Sequence, residues 1–200
     1  MNTTARIIIG IDEVGRGPIA GPVMVAAVGL NKTFSVSDFP GINDSKKLTP
    51  KKRDTLRAII DERRERGELR VGVHAVPAND IDEKGIVPAL ELAVTEALTA
   101  LAIDPKVCDV RLDGSLKAPI GYVHQQTIIK GDQKELSIML ASVFAKTERD
   151  REMERHAIQY PEYGFERHKG YGTKAHYEAI TLHGACPLHR KTWLKTKTIT

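Results

Sequence analysis

The sequence predicts an α/β fold: a mixed sheet of about five strands flanked by helices, with a helical C-terminal part. Three observations carry this expectation. Apolar, β-branched runs of strand length alternate with stretches whose apolar residues recur at helical spacing. The first two strand-like runs are joined by a turn too short for a parallel crossover, so that pair is expected to be antiparallel, within a sheet whose other strands are separated by helices. The chain has 200 residues, 41% of them hydrophobic, which suits one domain over 1–200, with residues 160–200 as its helical C-terminal segment and tail.

The elements follow in order. Ile7–Val14 carries four isoleucines and reads as a buried strand, and residues 15–21 form a glycine-rich turn with Pro18 inside it and Pro22 just after. Val23–Leu30 is a second strand, apolar on both faces, and a polar loop runs over residues 31–43. Thr49 and Pro50 suit the N-cap and first turn of a helix bearing Leu56, Ile59 and Ile60, which should stop at Gly67. Leu69–Val76 is a short strand. Residues 79–102 are mostly helix, with Leu90, Val94, Leu98 and Leu101 on one stripe. Strands are expected at 107–112, ending at Asp113-Gly114, and at 122–129, ending at Gly131-Asp132. Residues 136–156 form a long helix with Leu136, Met139, Leu140 and Val143 on one face. A loop with four helix-breaking residues follows, Thr173 caps a last helix to about His183, and the tail over 191–200 is basic without an apolar pattern.

Bulk properties exclude some classes. The net charge is +4 and the pI about 9.0, mild enough for an ordinary soluble protein. Cys108 and Cys186 make no CxxC pair and no disulfide framework, so free thiols in a reducing cytoplasm are expected. The apolar run after Arg6 is short and contains Gly10, which suits neither a signal segment nor a membrane span. No membrane partner is expected, and the chain is taken to be a monomer.

The chemistry gathers at the strand ends. The first strand, apolar as it is, closes on Asp12-Glu13, and burying ionised carboxylates without a partner is costly. The doublets Asp61-Glu62 and Asp82-Glu83 lie in helical surroundings and are ordinary surface acids. If the strands ending at Asp113 and Asp132 lie beside the first, four carboxylates meet at one rim. Their repulsion calls for divalent cations, and oxygen ligands favour Mg²⁺ or Mn²⁺ over zinc. Two such ions suit phosphodiester hydrolysis. Taken singly, each acid is the kind that turns favour anyway. Ser45-Lys46-Lys47 and Lys51-Lys52-Arg53 flank one helix start, and Lys146 and Arg149 lie within a turn of each other. These read as phosphate contacts, or, for residues 51–53, equally as a solvated face.

Two motifs mislead. Gly15-Arg16-Gly17-Pro18-Ile19-Ala20 matches a dinucleotide-binding pattern, but a strand rather than a helix follows it. His183-x-x-Cys186-x-x-His189 resembles part of a zinc site without a fourth ligand.

Together the motifs resemble ribonuclease HII, a type 2 ribonuclease H. They are the run from Gly10 to Pro18, Asp44-Ser45-Lys46-Lys47-Leu48, Asp113-Gly114, Lys130-Gly131-Asp132, Ala141-Ser142-Val143-Phe144-Ala145-Lys146, Arg149-Asp150, and Tyr163-Gly164-Phe165 through His168-Lys169-Gly170-Tyr171. The resemblance implies a ribonuclease H-like fold. It implies hydrolysis of RNA in RNA–DNA hybrids and incision 5′ to ribonucleotides embedded in duplex DNA. It carries the metal-binding acids onto Asp12, Glu13, Asp113 and Asp132, with two Mg²⁺ or Mn²⁺ ions. It carries the 2′-hydroxyl reader onto Gly15, Arg16 and Gly17, and a tyrosine that stacks on the next sugar onto Tyr171. Ser45, Lys46, Lys146 and Arg149 are the expected backbone contacts. Arg16 is expected to set the chain apart from ribonuclease HIII. The chain departs from the family pattern at Thr147-Glu148, where Val-Thr is usual, and Glu148 is expected to weaken the local positive potential. Two other classes suit the same residues: a protein that binds nucleic acid without cutting, and a two-metal nuclease acting on DNA.

Overall fold

The computed structural model describes residues 6–31 and 33–194. A five-stranded sheet is built from β1 (Ile7–Val14), β2 (Val23–Leu30), β3 (Leu69–Val76), β4 (Cys108–Asp113) and β5 (Gln125–Ile128), in the order β3-β2-β1-β4-β5. β1 pairs antiparallel with β2 and parallel with β4, and β5 adds parallel to β4. The isoleucine-rich strand is therefore the middle of the sheet. Ile9 and Ile11 are fully buried on one face, against Leu90, Val94 and Leu98 of α3 (Ile86–Ala100). Each such side chain contributes about 2 kcal/mol through burial. The other face carries α1 (Pro50–Glu65) and α4 (Leu136–Gln159), with Ala26 and Val28 packed among Leu56, Ile60, Leu140, Val143 and Phe144.

Gly10 explains how closely α4 approaches. A Cβ there would lie 2.0 Å from the Ser137 carbonyl carbon and 2.4 Å from the Ile138 nitrogen. Only a residue without a side chain lets the first turn of α4 rest on β1. This contact sits two residues before Asp12.

Several elements differ from the expectation. The helical stretch after β3 is two helices, α2 (Ala78–Lys84) and α3, because Gly85 adopts φ 88° and ends one while starting the other. β5 is shorter than residues 122–129. The Gln125 side chain accepts from Ala118 N and donates to Ala118 O and Tyr122 O, which holds the preceding residues in a turn. Asp132 is not on a strand end but in a 3₁₀ turn, Gly131–Gln133, after Lys130 in left-handed geometry. The loop after β2 is not wholly polar: Phe39 is fully buried, with the Arg63 guanidinium over its ring.

The C-terminal part folds as a short α5 (Phe165–His168) and α6 (Lys174–His183), the latter capped by Thr173, whose Oγ1 accepts from His176 N. They enclose a small core of Ile19, Met153, Tyr163, Phe165 and Ile180. The start of the tail is ordered. Asp82, an apparently ordinary helix acid, accepts from Lys191 N, Thr192 N and Thr192 Oγ1, and Leu194 is buried. The rest of the tail, 195–200, lies outside the described residues.

Candidate active site

Parallel pairing of β1 with β4 brings their acidic ends together. Asp12, Glu13 and Asp113 each offer a carboxylate oxygen, and these lie within 4.8 Å of one another. Asp12 is buried, and burial, then the charges of Glu13 and Asp113, push its pKa up to about 8. Two hydrogen bonds oppose this: the Ser142 hydroxyl of α4 donates to Asp12, and Glu13 N donates to Asp12 Oδ1 at 2.8 Å. Burial and Asp113 also raise Glu13, whose Oε2 is buried without a partner. Arg16 stands 3.7 Å from the other Glu13 oxygen. Three carboxylates so placed, with one oxygen orphaned, are a donor set that fits a hard divalent cation.

Asp132 lies beside this triple rather than within it. Asp113 Oδ1 accepts from Gly131 N at 2.7 Å and from Asp132 N at 3.4 Å, so the 3₁₀ turn is hung on the β4 carboxylate. Burial, then the Asp113 charge, raises the Asp132 pKa, and Lys46 at 3.6 Å opposes them. Burial acts against the Lys46 ammonium too, but Asp132, Asp12, Asp44 and Asp113 outweigh it and raise its pKa. Lys46 is otherwise open to solvent.

The Asp44-Ser45-Lys46 turn is tied down on three sides. Asp44 accepts from Lys46 N and from Gln133 Nε2. Ser45 Oγ meets Ser142 Oγ at 2.8 Å, extending the chain that ends on Asp12. Arg53 donates to the Ser45 and Leu48 carbonyls, so it braces this turn instead of standing free.

The glycine-rich turn and Tyr171 are neighbours, although 154 residues separate Gly17 from Tyr171: a Cβ on Gly17 would lie 3.8 Å from the tyrosine ring. Tyr171 is 48% exposed, and the Arg16 guanidinium reaches Ser115 Oγ at 3.4 Å. Lys146 meets Asp150 Oδ1 at 2.6 Å, and Arg53 meets Asp150 Oδ2 at 3.3 Å, on the wall of a cleft of about 570 Å³. Burial lowers the Lys146 pKa, against the pull of Asp150.

Arg149 departs from the expected role. It is fully buried, donating Nε to Pro22 O at 2.9 Å, Nη1 to Lys169 O at 3.0 Å and Nη2 to Ala20 O at 3.3 Å. It fits there because Gly15, at φ 86°, has no side chain: a Cβ would lie 2.3 Å from Arg149 Nε. Arg149 is the internal brace of the glycine-rich turn, with its guanidinium spent on three carbonyls and sealed from solvent. Glu148 also differs from the expectation. It faces α1, bonded to Arg57 at 3.0 Å, and that guanidinium lies over the Phe144 ring. Its charge is matched there, away from Lys146.

Sequence reading missed Ser142, Arg190, His176 and His189. Ser142 lay within a quoted motif without a role. Arg190 is fully buried and donates to Gly15 O, Arg16 O and Gly21 O. His189 of the apparent zinc motif contacts His176 Nε2 at 3.0 Å. Among the described residues, the triple on β1 and β4 is the group spaced to hold a metal, and the histidines are not part of it.

Comparison with known proteins agrees with this layout. The family model described as Ribonuclease HII matches residues 9–196. Ribonuclease HII of Shewanella halifaxensis is 46% identical over 184 residues, covering 92% of this chain and 86% of that protein. Ribonuclease HII of Bacillus cytotoxicus is 46% identical over 190 residues, covering 95% and 69%. The crystal structure of the ribonuclease H2 from Pyrococcus horikoshii superposes with a TM-score of 0.74 at 27% identity, covering 94% of this chain and 93% of that one. The sheet order, the acidic strand ends and the motif string agree with these matches: the chain belongs to the ribonuclease HII family.

Proposed function

We propose that this chain is a metal-dependent endonuclease of one catalytic domain, acting as a monomer in the cytoplasm. It hydrolyses the RNA strand of RNA–DNA hybrids and incises 5′ to ribonucleotides embedded in duplex DNA, leaving 5′-phosphate and 3′-hydroxyl ends. The observation that carries this is the carboxylate triple with its orphaned Glu13 oxygen, set directly before the glycine-rich turn. The family relationship supports the same reading.

Asp12, Glu13, Asp113 and Asp132 would hold the ions. When bound there, two Mg²⁺ or Mn²⁺ ions would supply Lewis acidity toward water and the leaving oxygen. The protein supplies position. Ser142 and Glu13 N fix the Asp12 carboxylate, and the backbone N–H groups of Gly131 and Asp132 fix Asp113. Lys46 balances Asp132 and meets the substrate backbone, helped by Ser45 and Lys146. Gly15, Arg16 and Gly17 read the ribose 2′-hydroxyl, the group that separates RNA from DNA, and Tyr171 stacks on the sugar that follows.

The test is one gel with three duplexes: all-DNA, RNA–DNA hybrid, and DNA with a single ribonucleotide, each with Mg²⁺. Wild-type protein should nick the last two only. Asp12→Asn and Asp113→Asn should each lose more than about a hundredfold in rate, the scale of misplacing a catalytic group. Undiminished nicking by both variants refutes the metal site, and equal cutting of all-DNA refutes ribose recognition.

A further inference from the structure

We propose that the adjacent residues His189 and Arg190 are positioning residues that hold the ribose-reading turn and Tyr171 in one fixed relation. This rests on the roles proposed above for that turn and for Tyr171.

The segment 188–190 runs beside residues 19–21. Gly21 N donates to Leu188 O, Arg190 N donates to Ile19 O, both at 2.8 Å, and Ala20 bridges to His189. From this shared base the two side chains reach opposite targets. Arg190 Nη2 donates to Gly15 O at 2.6 Å and its Nη1 to Arg16 O at 3.2 Å. The guanidinium fork thus grips the backbone of the turn itself, in a site with no exposure to water.

His189 reaches the tyrosine through a second histidine. His189 Nδ1 lies 3.0 Å from Cys186 N, which can only donate, and 3.3 Å from Cys186 O, which can only accept. The far end decides: Tyr171 O can only accept from His176 Nδ1, which leaves His176 Nε2 an acceptor and puts the His189 proton on Nε2. That proton is given to His176 Nε2 at 3.0 Å. The remaining His176 proton is then on Nδ1, 2.9 Å from Tyr171 O, and is donated to it. The reverse tautomers would give up the Cys186 N–H bond for the longer contact to Cys186 O and would set two acceptors against each other at Tyr171. Both rings are fully buried or nearly so, where an unmade hydrogen bond is costly. Three donors are thus used in sequence, and the last one lands on the main chain of Tyr171.

The need for such a link is geometric. The two reading elements are loops from opposite ends of the chain. They touch at their bases, where Ile19 N and Ala20 N donate to Gly170 O and Arg149 joins Lys169 O to Ala20 O, and His189 and Arg190 extend that tie to Gly15, Arg16 and Tyr171 themselves. Both arms end on backbone carbonyls, so they place the chain and leave the Arg16 and Tyr171 side chains free for substrate.

The experiment separates this link from packing by exchanging one ring nitrogen at a time. His176→Asn keeps a donor where Nδ1 stands, and His176→Gln keeps a group only where Nε2 stands. The measurement is kcat and KM on the single-ribonucleotide duplex and on the continuous hybrid, with Mg²⁺ affinity measured by calorimetry. In His176→Gln the preference for the embedded ribonucleotide should fall on the order of tenfold, through kcat, with Mg²⁺ affinity unchanged. His176→Asn should lose it to the same extent within about twofold, because it leaves His189 Nε2–H without its acceptor. No loss in either variant, or a loss in His176→Gln alone, overturns the inference. Tyr171→Ala is the separate control: if it leaves the preference unchanged, the proposed role of Tyr171 fails instead. Adding His176→Gln to Tyr171→Ala should cost no further preference, and an additive loss overturns the link. If the Gln variant does not fold, nitrogen NMR of the wild-type protein decides. The inference requires the Nδ1–H tautomer for His176 and Nε2–H for His189, and either opposite tautomer overturns it.

Discussion

Gly10→Ala is the most informative single substitution, because the strand that carries Asp12 is also the surface on which α4 rests. The added Cβ would stand 2.0 Å from the Ser137 carbonyl carbon and 2.2 Å from its oxygen, with main chain on both sides of the contact. Ordinary contact begins near 3.4 Å, so the first turn of α4 must retreat by about 1 Å or β1 must bow away. Overpacking of this kind costs about 3 kcal/mol, which lowers the Tm of a domain this size by about 6–12 °C. The same retreat pulls Ser142 from Asp12 and from Ser45, and a shift of about 1 Å at a reacting group costs on the order of a hundredfold in rate. Gly72→Ala is the matched control. Its Cβ would stand 2.0 Å from Ala97 O of α3, on the far side of the sheet from Ser142. Urea unfolding and single-turnover nicking below the melting range should show both variants destabilised, with the folded Gly72→Ala protein near wild-type activity and Gly10→Ala depleted. A Gly10→Ala protein within about 0.5 kcal/mol of wild type, or with unchanged nicking per folded molecule, refutes the reasoning.

Arg149→Lys should destabilise by about 3 kcal/mol, because three buried carbonyls lose a guanidinium that matches them. Its slope of log Kd against log salt on a hybrid should stay at the wild-type value, whereas Lys46→Ala should reduce that slope by about one ion. A reduced slope in Arg149→Lys would return that residue to the phosphate contacts. Acid should weaken the C-terminal part. Burial, then the neighbouring His168 and His189, lowers His176 from 6.5 to about 4, so the folded chain resists a proton that the unfolded chain accepts. Stability is therefore lost as pH falls from about 6.5 to about 4, by about 2 kcal/mol at pH 5 and about 3 kcal/mol in full. Urea titrations at pH 7, 6, 5 and 4 should show a steeper decline for wild type than for His176→Asn; parallel declines would refute the assignment.

Much of the fold is written in local pattern. Ile9 and Ile11 alternate with Gly10 and Asp12, and that alternation alone separates a packed face from the face that meets α4. Thr49-Pro50 and Thr173 start helices where they should. The gathering of Asp12, Glu13 and Asp113 also follows from sequence, since both acidic ends belong to strands that the helical crossover makes parallel. Gly85 shows the limit of periodicity: the apolar stripe of α3 continued as expected, but one positive φ divided the helix before it.

Arg149 and Arg190 mark where sequence stops speaking. Lys146 and Arg149 stand three residues apart on α4 and look alike in the chain, but Lys146 lines a cleft and Arg149 is sealed inside. The difference lies in the missing side chain at Gly15, more than a hundred residues away, which leaves a guanidinium-sized space. Asp12 and Glu13 could be singled out early because a carboxylate among isoleucines is costly and needs a reason. The bonds of Arg149, Arg190 and His176 end on main-chain carbonyls. Every residue carries one, so no residue type announces which carbonyl a distant side chain will find, and that pairing exists only once the chain has closed on itself.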